Sequence, residues 1–170
     1  MRLAEKNTIL EQLGLLNGTR LLNTARIGAT GDISFASSAS DERIYSLQIT
    51  CSFRFRSGEK LLTATLDIFD PTKSVENSPS FSCNTFNWDV LGFNRYDEWS
   101  REFKKEHQEQ LTVQNVSVSD FGDLTIEFDK GILLEIFINA NGGECWRFFE
   151  KSWDKHFIVC GDGTVEFTTP

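Results

Sequence analysis

Residues 45–55 read YSLQITCSFRF. Leu47, Ile49, Cys51, Phe53 and Phe55 alternate with Ser46, Gln48, Thr50, Ser52 and Arg54. A period of two with one polar side is the pattern of a half-buried strand in an antiparallel sheet. Ser57-Gly58-Glu59 then supplies a turn, and residues 61–69 return with Leu62, Ala64, Leu66 and Ile68 on one face. That predicts an antiparallel partner strand.

Upstream, residues 7–16 place Ile9, Leu10, Leu13 and Leu16 at helical spacing, with Asn7 as a cap and Asn17-Gly18 as the stop. Residues 19–25 and 32–35, separated by a turn at 28–31, predict a hairpin. Downstream, residues 70–87 are polar, rich in Ser and Asn, and hold two of the three prolines. They predict a long mobile loop. A second helix is expected from Asn94, whose side chain can cap amides near Asp97, with Tyr96, Trp99 and Phe103 as its apolar stripe. Asp97 and Glu98 are each spaced to pair with Arg101.

Short strands at 113–118, 124–128, 132–138, 145–149, 157–160 and 165–167 follow. Asp129-Lys130-Gly131, Asn141-Gly142-Gly143 and Gly161-Asp162-Gly163 offer residues that tolerate positive φ in hairpin turns. The whole predicts an α+β fold. It is a predominantly antiparallel β meander, its sheet curved or split into two layers, with a short N-terminal helix and one central helix.

The 170 residues, 39% hydrophobic and 25% charged, suit one domain over 1–170. No run approaches the ~20 apolar residues of a spanning helix, and residues 1–8 lack the apolar stretch of a signal peptide. The expectation is a cytoplasmic protein with no membrane partner. The formal net charge is −8, without a basic cluster interleaved with aromatics, which argues against nucleic acid. Residues 1–83 hold nine acidic and nine basic residues, whereas 84–170 hold sixteen and eight. An acidic second half displayed on one face would attract a basic protein.

Cys51, Cys83, Cys145 and Cys160 are irregularly spaced, which predicts free thiols. On a strand, His156 and Cys160 would stand roughly 13 Å apart, too far to share a zinc ion with Cys145. No metal and no cofactor are expected.

The motifs LQITCSFRF, DIFDP, NWDVLGFNRYDE, LLEIF, ECWRFFE and HFIVCGDG occur in this order over most of the chain. In this the chain resembles a widespread bacterial family of single-domain proteins to which no activity is assigned. The family tends to carry Pro-Trp after the strand cysteine, where this chain has Ser52-Phe53. The resemblance implies an intact domain and imports no chemistry.

Two places gather chemistry-bearing residues. In residues 87–98, Asp89, Arg95 and Asp97 lie near Trp88 and Trp99, a combination able to form an acid/base or anion pocket. In residues 144–154, the carboxylates of Glu144, Glu150 and Asp154 flank Trp146 and Phe149, the pattern of an aromatic-anchored interface toward a basic protein. Alternation places Trp146 with Phe148 on one face and Arg147 with Phe149 on the other. No nucleophile elbow, phosphate loop, dinucleotide pattern or His-Glu-x-x-His is present. The favoured function is therefore a non-enzymatic binding protein, concretely an immunity-type inhibitor of a cationic toxin or nuclease. The alternatives are a small-ligand binder or enzyme using the Asp89, Arg95 and Asp97 pocket, and a structural or assembly protein. The oligomeric state is not legible.

Overall fold

The computed structural model describes residues 3–37, 43–107 and 111–169. Helix α1 (Leu3–Leu13) runs into a 3-10 turn (Gly14–Leu16), followed by strands β1 (Arg20–Ile27), β2 (Thr30–Ala36), β3 (Ile44–Ile49), β4 (Ser52–Ser57) and β5 (Lys60–Ala64). A 3-10 turn (Thr65–Ile68), the one-turn helix α2 (Lys73–Glu76) and helix α3 (Arg95–His107) separate these from the second strand group. That group comprises β6 (Val113–Val118), β7 (Leu124–Phe128), β8 (Ile132–Phe137), β9 (Glu144–Glu150), β10 (His156–Cys160) and β11 (Val165–Thr168). The strands form two sheets, ordered β1-β2-β3-β9-β10-β11 and β5-β4-β8-β7-β6, and neighbouring strands run antiparallel.

The stretch 45–55 is two strands in two sheets. The amides of Thr50 and Cys51 both donate to the Cys145 carbonyl, at 2.9 and 3.1 Å. Two residues against one is a bulge, and a bulge bends its strand. The Thr50 hydroxyl seals the bend by donating to the carbonyls of Glu144 (2.6 Å) and Cys145 (2.9 Å). The inward parity survives the bend: Leu47, Ile49, Cys51, Phe53 and Phe55 are all buried. The partner chain crosses at the same corner, since β3 pairs with β9 and β4 with β8. Residues 138–143 make that crossing. They lie so close to the turn after β10 that a Cβ on Gly161 would stand 2.2 Å from the Ala140 carbonyl oxygen.

The sheets also meet along another edge, where Gly18 N donates to Val113 O, Val113 N to Thr19 O and Leu21 N to Leu111 O, each at 2.9 Å. The inner faces share one core, with Phe35 of β2 stacked on Phe128 of β7 at 6.3 Å. Helix α3 lies on β1, β5 and the 3-10 turn. Its Tyr96, Trp99 and Phe103 reach Phe53 and Phe55 at ring distances of 5.7, 5.0 and 6.0 Å. The Asn94 side chain caps it, accepting from Asp97 N at 2.8 Å.

Two expectations need correction, and the segment 70–87 gains detail. Helix α1 begins at Leu3, so Asn7 lies inside it; Leu, Ala, Glu and Lys ahead of Asn7 are all strong helix formers. The strand expected over 61–69 stops at Ala64, because the Asp67 carboxylate accepts from Ala64 N (2.9 Å) and Thr63 Oγ1 (2.8 Å) and turns the chain. Within 70–87 the chain forms α2, capped by Thr72. The start of the segment is tied to the entrance of α3 by Thr72 N to Phe93 O (2.8 Å) and Arg95 N to Asp70 O (2.9 Å).

Candidate functional site

The strongest polar cluster is organised by a residue that sequence reasoning did not single out, Arg26. Strand β1 carries it to the N-terminus of α3, and 4% of its side chain is exposed. Nε and Nη2 donate to the two carboxylate oxygens of Asp97 at 2.8 and 2.9 Å. Nη1 donates to Gly28 O (2.9 Å) and Asp89 Oδ1 (3.0 Å), and Nη2 also reaches Trp88 O and Asp89 O at 3.3 Å. All five guanidinium hydrogens have acceptors. Asp97 in turn accepts from Gly92 N at 2.8 Å, and Asn94 Nδ2 donates to Trp88 O at 2.9 Å. The hydrogen bonds to Asp97 are the chief reason that Arg26 holds its proton even more firmly than an ordinary arginine.

Asp89 and Asp97 are thus brought together, but around Arg26 and not Arg95. Arg95 turns outward, with Nε on Pro71 O (3.2 Å) and Nη1 near Asp70 (3.5 Å). Arg101 pairs with Glu102 (3.1 Å), not with Asp97. The Arg26 donors and the Asp97 carboxylate satisfy one another, whereas Asp89 meets Arg26 through Oδ1 alone and keeps 59% of its side chain exposed. The cluster pins residues 88–92 from both ends.

The pinned loop displays apolar side chains. Leu91 is 82% exposed, with Val90 and Phe93 partly exposed beside it. Ile27, next to Arg26 in β1, and Leu66 and Phe69 are also exposed, and Phe69 packs edge-on against Trp88 at 5.0 Å. Phe93 also lines a groove of about 360 Å³ with Val75, Phe81 and Phe86. Residues 64–98 hold six acidic residues and two basic ones, a surplus that Arg26 reduces in space by pairing with Asp89 and Asp97.

The residues proposed around β9 are dispersed by the structure. Trp146 is fully buried, so it cannot be a surface anchor; its strand face, shared with Phe148, is the core face. Phe149 is on the other face, half-buried beneath His156, whose ring stacks on it at 4.1 Å. Glu144 is held by Arg147, which donates to it through Nε (2.6 Å) and Nη2. Arg147 Nη1 also donates to His156 Nδ1 at 3.2 Å. Glu150 is buried and accepts from Ser152 Oγ at 2.5 Å. Asp154 is exposed, beside Trp153, which is 61% exposed.

Charge separated along the chain is recombined in space. Cations of the first half meet carboxylates of the second in Lys6–Asp120 (2.7 Å), Arg54–Glu135 (2.7 Å), Arg56–Glu135 (2.9 Å) and the Arg26 cluster. Cys51, Cys145 and Cys160 are buried free thiols and Cys83 is exposed. Burial, with a contribution from neighbouring Cys145, pushes the Cys51 thiol up to about 12. Among the described residues no three His, Cys, Asp or Glu side chains are placed to hold a metal ion, and no helix is long and apolar enough to cross a membrane. Compared with known proteins, the chain matches no family model, no curated protein and no solved structure.

Proposed function

We propose that the protein is a non-enzymatic binding protein that engages a cationic protein surface through the loop pinned by Arg26. The class includes immunity-type inhibitors that mask a cationic toxin or nuclease. One observation carries the reading: a loop fixed by a buried ion cluster holds Leu91 out in solvent. Exposing a large apolar side chain forgoes ~1.5–3 kcal/mol of burial. Fixing it in place removes the ordering cost that a partner would otherwise meet on binding. A rigid apolar anchor with an acidic surround is suited to a pocket rimmed by lysines and arginines.

The test compares immobilised wild-type protein with Leu91→Ser as bait in extract from the native host, at 0.05 and 0.5 M salt. A basic protein retained by wild type at low salt, and lost on Leu91→Ser at unchanged melting temperature, is the expected result. Equal retention by both baits, an acidic retained protein, or no retained protein overturns the reading.

A further inference from the structure

The six-stranded sheet ends at β11, whose far edge has no neighbouring strand among the described residues. Cys160 N donates to Thr164 O at 3.0 Å, and Ile158 stands opposite Glu166. Hydrogen-bonded and non-hydrogen-bonded pairs alternate in an antiparallel ladder. Glu166 and Thr168 therefore direct their backbone groups to β10, and Val165 and Phe167 direct theirs to the open edge.

The side chains at this edge are as informative as the backbone. Phe167 lies opposite Phe157 and shares its face of the sheet. Its ring is 5.1 Å from Phe157, which is 6.0 Å from the buried Trp146. This aromatic row runs from the core to the edge and stops in solvent, with Phe167 59% exposed. Beside it opens a groove of about 100 Å³ whose lining includes Leu15, Phe148, Trp153, Phe157 and Lys155. Open edges in soluble proteins are usually covered or charged on the face that matters; here the one charge, Glu166, is on the opposite face.

We propose that β11 is a strand-addition site for an extended segment of a partner protein with alternating apolar and cationic residues. Its apolar side chains extend the row beyond Val165 and Phe167 and enter the groove, while a lysine or arginine stands opposite Glu166. Charge decides the occupant. A second copy would bring two chains of net charge −8 together and set two Glu166 side chains on one sheet face. The groove lining carries one carboxylate, Glu150, and one cation, Lys155, so Glu166 on the opposite face is the charge that selects the occupant. The site is at the opposite end of the sheet from β1, five strand spacings or about 24 Å from the strand that carries Arg26. It is argued from different residues than the Leu91 loop and stands or falls separately.

The probe is an alternating lysine/valine heptapeptide, with two controls: the same composition in blocks, and an alternating glutamate/valine peptide. Binding to the intact chain is followed by amide NMR. The lysine/valine peptide is expected to shift the Val165 and Phe167 amides first and to slow their hydrogen exchange. Glu166→Lys should weaken it at least fivefold and strengthen the glutamate/valine peptide. Phe167→Ala should weaken it tenfold, and Leu91→Ser should leave it unchanged. No binding, equal binding of the block and alternating peptides, or indifference to Glu166→Lys overturns the strand-addition site. Each of these outcomes leaves the Leu91 loop to its own test.

Discussion

Replacing Arg26 by alanine removes the cation from a cluster in which 6% of the Asp97 side chain is exposed. The loss is not that of a surface salt bridge. A buried carboxylate left without its partner costs ~3–5 kcal/mol, whereas an exposed pair contributes ~0–1 kcal/mol. Against a typical total of ~5–15 kcal/mol, Arg26→Ala is expected to remove about a fifth of the stability or more. Arg26→Lys keeps the charge but cannot span both Asp97 oxygens, Gly28, Trp88 and Asp89 at once, so about 2 kcal/mol should be lost. Arg54→Ala is the control, because Arg54 is 44% exposed where it pairs with Glu135, and should cost under ~1 kcal/mol. Urea unfolding followed by the fluorescence of the four tryptophans measures all three. If Arg26→Ala and Arg54→Ala cost the same, within about 0.5 kcal/mol, the cluster is not the clamp described.

Three further outcomes are expected. Gly161→Ala should destabilise by ~1–3 kcal/mol in the same urea assay, since its Cβ meets backbone at Ala140 and Gly142 that no rotamer can move; no change would show that the corner is pliable. His156 titrates below its usual value because of burial and the neighbouring Arg147 charge, and Nδ1 is already an acceptor for Arg147. The unfolded chain therefore binds the proton more tightly, so stability should be full above about pH 6.5 and fall as pH drops through the folded value. A His156→Gln variant with the same slope over that range would contradict this. Thiol labelling of the native protein should modify Cys83 rapidly and Cys51, Cys145 and Cys160 slowly; fast reaction at Cys51 would show that the corner opens.

Local chemistry made much of the fold legible. Asn94 announces its cap, the turns at 129–131 and 161–163 place two hairpins of the second half, and alternation assigns Trp146 and Phe148 to one face; Asn141-Gly142-Gly143, expected to close a hairpin, instead carries the chain from β8 to β9 in the other sheet. Alternation alone does not say which face is the core, and Trp146 was therefore open to being read as an anchor. The bend at Thr50 was hidden for a similar reason: inward parity continues from Leu47 to Phe55, so nothing in the pattern marks a change of sheet. Only the convergence of two amides on Cys145, nearly a hundred residues away, creates it. Arg26 was the larger omission. It is separated from Asp97 by 71 positions, and pairing across such a distance leaves no periodic or spacing signal in either segment. The one available hint was an arginine in an otherwise half-apolar strand just before Gly28.

The most direct test of the central claim, that a buried clamp presents Leu91 to a basic partner, is the association kinetics of the retained partner with wild type, Leu91→Ser and Arg26→Lys. At 0.1 M salt, Leu91→Ser should speed dissociation by tenfold or more with little change in on-rate, as expected for a hot-spot anchor. The wild-type on-rate should fall as the Debye length shrinks from ~10 Å at 0.1 M to ~3 Å at 1 M salt. Arg26→Lys, which leaves Leu91 in place but loosens its loop, should also weaken binding. Wild-type affinity in Arg26→Lys, or an on-rate indifferent to salt, would contradict the account.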